Sequence, residues 1–208
     1  MARSARVEQK RERARQEILQ VAQDILNEQG VEAVTLASVA GQLGMTKQAL
    51  YHYFPSKEAL LRGMVSTLLD DEIETLMTVV EAPDFAERSL GKLIRAFYGH
   101  YIRRLDAFRT VYCQSQLYTA ARPAIDEDTL REEIHPRTGQ LFDRLEERIA
   151  RMSASDDERR RIRRLAFIAW TSALGLLTML SIADANQDPL VHSDEELLET
   201  LAGVFNRA

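Results

Sequence analysis

Residues 34–57, VTLASVAGQLGMTKQALYHYFPSK, constrain this chain most, because they contain two short helical segments joined by a tight turn. Thr35 and Thr46 are suited to cap the two segments. Gly44, between the segments, can adopt the left-handed backbone that a sharp turn requires. Ala40 allows the two helices to approach closely. Because these features occur together at the right spacing, the sequence predicts a helix-turn-helix whose second helix enters the major groove of DNA.

The outward-facing side chains of the second helix predict how the motif would read DNA. They are Lys47, Gln48, Tyr51 and His52. Lys47 can bind O6 and N7 of guanine, and Gln48 can pair with N6 and N7 of adenine. Tyr51 and His52 suit contacts to phosphate, or stacking on sugar and the thymine methyl group. An ordinary helical hairpin with a solvated polar face is the alternative interpretation.

Phosphate contacts are expected at three further residues. Thr35 and Thr46 lie at helix N-termini, where N–H groups and the helix dipole favour an anion. Lys57, in the first turn of the next helix, can neutralise another phosphate. The whole chain has a net charge of −5, but residues 1–15 contain six basic and two acidic residues. This basic N-terminal segment places the attraction for nucleic acid at one end of the protein only. The alternative interpretation is that it is an ordinary solvated tail.

The string TLASVAGQLGMTKQALYHYFPSKEALL resembles the N-terminal domain of TetR-type transcriptional regulators over about residues 13–65, and LYHYFPSKEALL is a specific signature of that family. The resemblance implies an all-helical homodimer, usually a repressor, whose C-terminal domain binds a small molecule. Carried over by position, the family's DNA contacts fall on Thr35, Thr46, Lys47, Gln48, Ala49, Tyr51, His52 and Lys57. Ala37 departs from the pattern, since some members have a base-reading Arg or Lys there, so base readout should depend more on the second helix.

Apolar periodicity and capping residues divide the rest of the chain into helices, with no strand-length alternation. Residues 1–12 are expected to be disordered or frayed. Pro136 is expected to break or bend a helix over residues 126–152, and capping boxes at Ser155 and Ser193 should begin the last two helices. Further helices are expected over residues 18–30, 56–80, 84–105 and 108–118. The predicted fold class is all-α. A three-helix helix-turn-helix DNA-binding domain covers residues 1–55, and a helical ligand-binding and dimerisation domain covers residues 56–208.

The segment Leu165–Ile182 is apolar on nearly all sides and follows a cluster of arginines. With eighteen residues it is at the short limit for a transmembrane helix. A membrane-associated protein is therefore one alternative, and a buried helix that packs within its own subunit and against a partner is the preferred interpretation. With the last helix, it would form a four-helix interface between two copies. A homodimer can read a palindromic operator, which one recognition helix is too short to specify.

Aromatic and polar residues cluster in the second half of the chain and can line an apolar pocket with a few orienting groups. The candidate ligand-binding residues are Tyr98, Tyr101, Phe108, Tyr112, Gln116 and Trp170. Ordinary core packing is the alternative role of these residues. The expected ligand is an unidentified small-molecule effector, which acts by favouring a conformation that fits DNA poorly.

The sequence contains no motif of a hydrolase nucleophile, zinc protease, phosphate-binding loop or paired cysteines. We therefore expect no enzymatic activity, metal or cofactor; an enzyme that uses the helical pocket is the competing class. The single cysteine, Cys113, suits a reducing compartment, and no signal peptide is visible, so a cytoplasmic location is expected. The predicted function is a sequence-specific transcriptional regulator. In its simplest form it is a repressor that a small molecule releases from a palindromic operator.

Overall fold

The structure is a computed structural model that describes residues 2–86, 89–113, 127–150 and 154–207 of the chain. Within these ranges there is no strand, and the all-α fold class is confirmed. The main helices are α1 (Ala2–Gln29), α2 (Leu36–Gln42), α3 (Lys47–Tyr51), α4 (Lys57–Val80), α5 (Leu90–Tyr101), α6 (Leu105–Phe108), α7 (His135–Ile149), α8 (Asp156–Asn186) and α9 (Asp194–Arg207). A π-helical turn, Arg109–Cys113, follows α6, so the expected helix over residues 108–118 is described only in its first half.

The chain divides into two compact units. Among the described residues, the first unit contains 2–68 and 106–113, and the second contains 69–105 and 127–207 apart from the gaps given above. The division falls after Leu68, within the continuous helix α4. The domain boundary at residue 55 stays a prediction.

Helix α1 begins at Ala2, so the expectation that its first residues are disordered or frayed is wrong. This segment is rich in Ala, Arg, Lys, Glu and Gln, which have high intrinsic helix propensity, and it contains neither glycine nor proline. Gly30 ends the helix as expected, with a φ of 78°. Farther along α1, Ile18, Ala22 and Ile25 are buried and attach the helix to the core of the first unit.

The core of the first unit is an apolar seam shared by α1 to α4. Its members are Ile18, Ala22, Ile25, Leu26, Val39, Leu50, Phe54, Leu60 and Met64. A β-carbon added at Gly63 on α4 would lie 3.0 Å from atoms of both Leu19 and Phe54. Burial of this seam supplies the main driving force that holds the helix-turn-helix against its two flanking helices.

In the second unit, α5 packs against both α8 and α9, and α7 packs against α8. The buried residues of this core include Ile94, Phe97, Ala166, Ala169, Ala173, Leu177, Leu198 and Ala202. Arg148 on α7 donates hydrogen bonds to the carbonyl oxygens of Val80 and Ala82 at 3.1 and 2.6 Å. These bonds satisfy carbonyls at and just beyond the end of α4, where the helix itself offers no donor.

The predicted starts of the last two helices are confirmed, at Ser155 with a single capping bond and at Ser193 with the full capping box. Pro136 lies in the first turn of α7, and the preceding residues Leu130–Ile134 form a π-helical stretch. Because proline lacks an N–H group, the regular helix restarts there, where no donor is needed. Ser155 accepts a hydrogen bond from the Glu158 amide at 3.2 Å. Ser193 and Glu196 bond reciprocally to each other's amides at 3.2 and 2.9 Å.

Helix α8 has one buried face and one exposed apolar face. Ala169, Ala173 and Leu177 are buried, whereas Phe167 and Ile182 are 51% and 58% exposed. Of the helices within the described ranges, α8 alone has the length and apolar composition to cross a membrane. In its apolar 18-residue segment, 33% of the residues are buried. Core helices of soluble proteins have the same composition. The predicted packing within the subunit is therefore present on one side of the helix, and the other side is exposed in the single chain.

A polar cluster lies between α4 and α5 in the second unit. His100 Nδ1 lies 3.1 Å from Thr75 Oγ1, and His100 Nε2 lies 3.0 Å from the Arg104 guanidinium. Tyr101 is fully buried and donates from its hydroxyl to Glu72 at 2.7 Å. Burial and the nearby Arg104 charge lower the pKa of His100 to about 4. His100 is therefore neutral at physiological pH.

Helices α5 and α9 approach each other closely at Gly91. A β-carbon there would lie 2.6 Å from the Ala202 carbonyl oxygen and 2.9 Å from Asn206 Cγ. We expect Gly91→Ala to lower the free energy of unfolding by about 1–3 kcal/mol, although alanine favours helices, because the two helices would have to separate. Urea denaturation monitored by circular dichroism measures this change.

Gly99→Ala is the matched control, because a β-carbon there meets no atom within 4 Å. It should leave stability unchanged or raise it by up to about 1 kcal/mol. Equal effects of the two substitutions would contradict the proposed close contact of α5 and α9.

Acidification should destabilise the second unit through His100. The unfolded imidazole, with its ordinary pKa of 6.5, takes up a proton at a higher pH than the folded imidazole, whose pKa is lowered to about 4. The stability from neutral His100 is therefore present above pH 6.5 and is lost as the pH falls towards 4. Because the ring is partly exposed, we expect a loss of about 1–2 kcal/mol.

Urea denaturation across this pH range measures the loss, with His100→Gln as the variant that cannot titrate. The variant should lack this part of the pH dependence while retaining the part due to carboxylates. Parallel pH profiles for the two proteins would contradict the assignment to His100.

Candidate nucleic-acid interface

The start of α2 is fixed by a reciprocal cap. The Ser38 amide donates to Thr35 Oγ1 at 3.0 Å, and the Thr35 amide donates to Ser38 Oγ at 3.0 Å. Ser38 Oγ also donates to the Ala33 carbonyl oxygen at 2.7 Å. The Thr35 hydroxyl, expected from the sequence to help bind phosphate, is thus first of all the cap that sets the orientation of α2.

The turn between α2 and α3 has the geometry expected of the motif. Gly44 has a φ of 63°, in the left-handed region, and the Met45 amide donates to the Ala40 carbonyl oxygen at 2.9 Å. Ala40 and Val39 are buried where the two helices meet. A residue with a β-carbon at position 44 would be strained even though there is open space for it.

Helix α3 presents the predicted outward row. Its N-terminus is capped by Thr46, whose Oγ1 accepts a hydrogen bond from the Ala49 amide at 3.1 Å. The exposed residues are Lys47, Gln48, Tyr51 and His52, whereas Ala49 is half-buried. The Lys47 Nζ lies 5.8 Å from the centroid of the Tyr51 ring. This cation–π contact holds the lysine over the exposed surface of the helix.

Arg15 fastens α1 to the end of the helix-turn-helix. Its Nη1 donates to the Tyr53 carbonyl oxygen at 3.0 Å, and its guanidinium carbon lies 4.5 Å from the centroid of the Phe54 ring. Phe54 is 1% exposed, so the cation covers the edge of the core. The orientation of α1 beside α3 is therefore fixed by both a hydrogen bond and a cation–π contact.

A groove with a volume of about 820 Å³ runs between α1 and α3. Its lining includes Lys10, Arg11 and Arg13 from α1 together with Ala49, His52 and Tyr53. The sequence indicated the positive charge of this segment, but not that a helix holds the charge beside α3. These three cations are the functional candidates that sequence reasoning missed, and their only sequence signal was the local excess of basic residues.

Lys57 lies in the first turn of α4 and is half-buried. Ser56 caps this turn by accepting a hydrogen bond from the Ala59 amide at 3.1 Å. The cap fixes the backbone that carries Lys57, which is a condition for a directed phosphate contact.

The candidate ligand-binding residues fall in both units. Tyr98, Tyr101 and Trp170 belong to the second unit, and Phe108 and Tyr112 belong to the first, where their ring centroids are 5.4 Å apart. The Tyr98 hydroxyl donates to the Asp194 carboxylate, and burial together with this bond raises the pKa of Tyr98. The Tyr101 hydroxyl is already bonded to Glu72, and Trp170 contacts Phe167 with ring centroids 5.6 Å apart.

Gln116 lies outside the described residues. Cys113 is half-buried, and burial raises the pKa of its thiol, which makes it less reactive at neutral pH. Among the residues that the structure describes, no group of three or more His, Cys, Asp or Glu side chains could hold a metal ion.

A capped and tightly turned helix pair with an exposed polar second helix, flanked by a cationic first helix, defines a helix-turn-helix DNA-binding protein. Residues 18–64 match the family described as bacterial regulatory proteins, tetR family. The chain belongs to this family, and it is a DNA-binding regulator rather than an enzyme.

Two relatives extend the similarity beyond this region. The chain is 33% identical over 143 residues to the nucleoid occlusion factor SlmA of Photobacterium profundum, which corresponds to 59% of this chain and 72% of that protein. It is 30% identical over 141 residues to the nucleoid occlusion factor SlmA of Vibrio cholerae, or 57% of this chain and 69% of that one.

Solved structures share the fold over nearly the full length. A transcriptional regulator of the TetR/AcrR family from Thermobifida fusca has a TM-score of 0.64 at 20% identity and covers 94% of this chain and 97% of its own. A TetR-family transcriptional regulator from Streptomyces coelicolor has a TM-score of 0.64 at 18% identity, with 93% and 79% covered. At these identities the likeness concerns the fold alone.

Proposed function

We propose that this protein is a transcriptional repressor that binds a palindromic operator as a homodimer and is released by a small-molecule effector. The observation that carries the proposal is the exposed row on α3, which lies beside a groove lined by three basic residues of α1. A repressor is the simplest form of such a regulator, since occupancy of a promoter is sufficient to block it. Its site of action is the cytoplasm, where the operator DNA is found.

Base readout is assigned to the first turn of α3. Lys47 and Gln48 are exposed there and have the hydrogen-bonding groups that recognise guanine and adenine in the major groove. Ala49, Tyr51 and His52 complete the surface that faces the duplex.

Contacts to the sugar-phosphate backbone surround this readout surface. We assign them to the helix starts at Thr35 and Thr46 and to Lys57. The groove residues Lys10, Arg11 and Arg13 extend the same positive surface. Contacts of this kind set affinity and register without reading sequence.

Variants that separate base readout from phosphate binding test this assignment. Lys47→Ala or Gln48→Ala should weaken binding to the preferred operator by about 1–3 kcal/mol and relax the preference at one base pair. Lys57→Gln, or Lys10→Gln with Arg11→Gln and Arg13→Gln, should weaken binding to all sequences. The salt slope of log K should fall by about one for each phosphate that the variant no longer neutralises.

Fluorescence anisotropy measures these affinities, on an operator selected from a random DNA pool by the wild-type protein. Lys92→Gln, an exposed lysine of the second unit, is the matched control and should leave both affinity and salt slope unchanged. The proposal would be contradicted if the selection recovered no preferred sequence and every variant had the same salt slope as the wild type.

A second copy of the chain is proposed to cover the exposed face of α8 that contains Gly175, Met179 and Ile182, together with the exposed Val204 on α9. Val204 is 59% exposed and Ile182 is 58% exposed, which is unusual for large apolar side chains on neighbouring helices. A concavity of about 500 Å³ along this part of α8 can receive side chains of a partner. Two-fold pairing of α8 and α9 would give the four-helix interface expected from the sequence.

Met179→Glu or Ile182→Glu should shift the protein from dimer to monomer, because a buried unpaired carboxylate is costly. Sedimentation velocity measures the shift. Val191→Glu is the matched control, since Val191 is 94% exposed and lies outside both helices, so its replacement should leave the dimer intact. A wild-type monomer, or a dimer in all three variants, would contradict the interface.

The effector is an unidentified small molecule, and the residues that bind it stay a prediction from the sequence. Release of DNA requires that the ligand bind one conformation more tightly than the other. A compound screen for loss of operator anisotropy, repeated with intrinsic fluorescence of Trp170, tests this step. The fluorescence should change with any compound that releases DNA, if Trp170 lines the site.

A role in nucleoid occlusion is a second candidate, and the similarity to two factors of that name favours it. The two functions require different distributions of binding sites. A promoter repressor occupies one or a few operators, whereas a role tied to the nucleoid as a whole requires many sites along the chromosome. Chromatin immunoprecipitation with sequencing of the bound DNA distinguishes the two.

A further inference from the structure

Helices α7 and α8 of the second unit enclose a groove with a volume of about 730 Å³. Residues of α7 contribute Gly139 and Phe142, and residues of α8 contribute Arg163, Arg164, Phe167 and Ile168. The lining residues of each helix recur at a spacing of three or four, so one face of each helix forms a wall. The lining of α8 spans residues 160–168, about 12 Å of helix, which is the scale of a small organic ligand.

The floor of the groove is apolar and open. Phe142 and Phe167 lie with ring centroids 6.0 Å apart and planes inclined at 44°. Phe167 and Ile168 are each 51% exposed, although both are large apolar residues. The rings could therefore cover a hydrocarbon chain or an aromatic ring and lose their contact with water.

The rim of the groove is cationic. Its lining includes three arginines and no acidic residue, and Arg160 is paired with Asp157, outside the lining, at 2.7 Å. Arg163 is held by Asp143 at 2.5 Å and by Glu146 at 3.7 Å, and neither carboxylate belongs to the lining. Arg164 is exposed and forms no ion pair within the described residues. Its planar guanidinium is suited to bind a carboxylate or phosphate through two parallel hydrogen bonds.

Gly139 keeps the groove open. It lies within α7, where glycine is less favourable than any residue except proline. At Gly91 a neighbouring backbone requires the glycine, but a β-carbon at Gly139 would meet no atom within 4 Å. Packing within the chain therefore does not require glycine at this position, and because Gly139 belongs to the lining, a larger side chain there would project into the groove.

We propose that this groove binds a small amphiphilic organic anion. The apolar body lies against Phe142, Phe167 and Ile168, and the carboxylate or phosphate head binds Arg164. The charge of Arg164, whose two neighbouring arginines are already paired with carboxylates, favours an anion, and the length of the groove favours a small molecule. This binding does not depend on the proposed DNA-binding function, so either can fail without the other.

Decanoate is the test probe, and decylamine is its cationic counterpart with the same chain. Titration of the full-length protein below the micelle concentration, by calorimetry and by Trp170 fluorescence, measures binding. Trp170 is the only tryptophan and contacts Phe167, so its emission should change with groove occupancy. We expect one decanoate per chain and no measurable binding of decylamine.

Two variants and a matched control identify the site. Arg164→Gln should weaken decanoate binding about tenfold or more, because a charge-assisted hydrogen-bond pair is removed. Gly139→Leu should abolish binding by filling the groove, yet raise the Tm by about 2 °C because leucine favours the helix, which excludes misfolding as the cause. Arg161→Gln removes the same charge from α8 outside the groove lining and should bind decanoate like the wild type.

Three outcomes would overturn the proposal. The first is equal binding of decanoate by the wild type, Gly139→Leu and Arg164→Gln, and the second is equal binding of decylamine and decanoate. The third is the absence of decanoate binding together with an effect of Gly139→Leu on the dimer or on attachment to phosphatidylglycerol vesicles. That result would mean that the groove serves another partner.

Discussion

The burial of Phe54 is the contact on which the first unit depends. This residue follows α3 and precedes α4, and its ring is 1% exposed. The Arg15 guanidinium of α1 covers the ring at 4.5 Å, and the backbone of Gly63 on α4 approaches it closely enough that an added β-carbon would be 3.0 Å away. One aromatic ring therefore fixes α1, the end of the recognition helix and α4 relative to one another. The orientation of the exposed row on α3 follows from this junction.

Three glycines show how differently the same residue is used in this fold. Gly44 is required by its backbone, because a φ of 63° is strained for other residues. Gly91 is required by close packing, because the Ala202 carbonyl and the Asn206 side chain occupy the space of a β-carbon. Gly139 is required neither by its backbone conformation nor by close packing, and the groove that it lines is therefore a functional candidate. All three positions have the same residue type in the sequence, and only their structural environments distinguish these roles.

The exposure of the row on α3 could be predicted from the sequence because it depends on local geometry. The caps at Thr35 and Thr46, the turn at Gly44 and the helical period of α3 determine which side chains point outward. Lys10, Arg11 and Arg13 were harder to interpret. Their charge was evident, but their position beside α3 depends on the contact of Arg15 with Phe54 and with the Tyr53 carbonyl, across 38 residues of chain.

The sequence by itself determined the all-helical fold, the helix starts at capping residues, and the outward row of α3, because all three follow from hydrogen bonding and periodicity within a few residues. The tertiary structure alone decided that the start of α1 flanks the recognition helix. It also decided that Tyr98 and Tyr101 bond to Asp194 and Glu72, and that aromatic and cationic residues of α7 and α8 enclose one groove. These arrangements join residues distant in the chain, and the free energy that selects them comes from packing that no local pattern encodes.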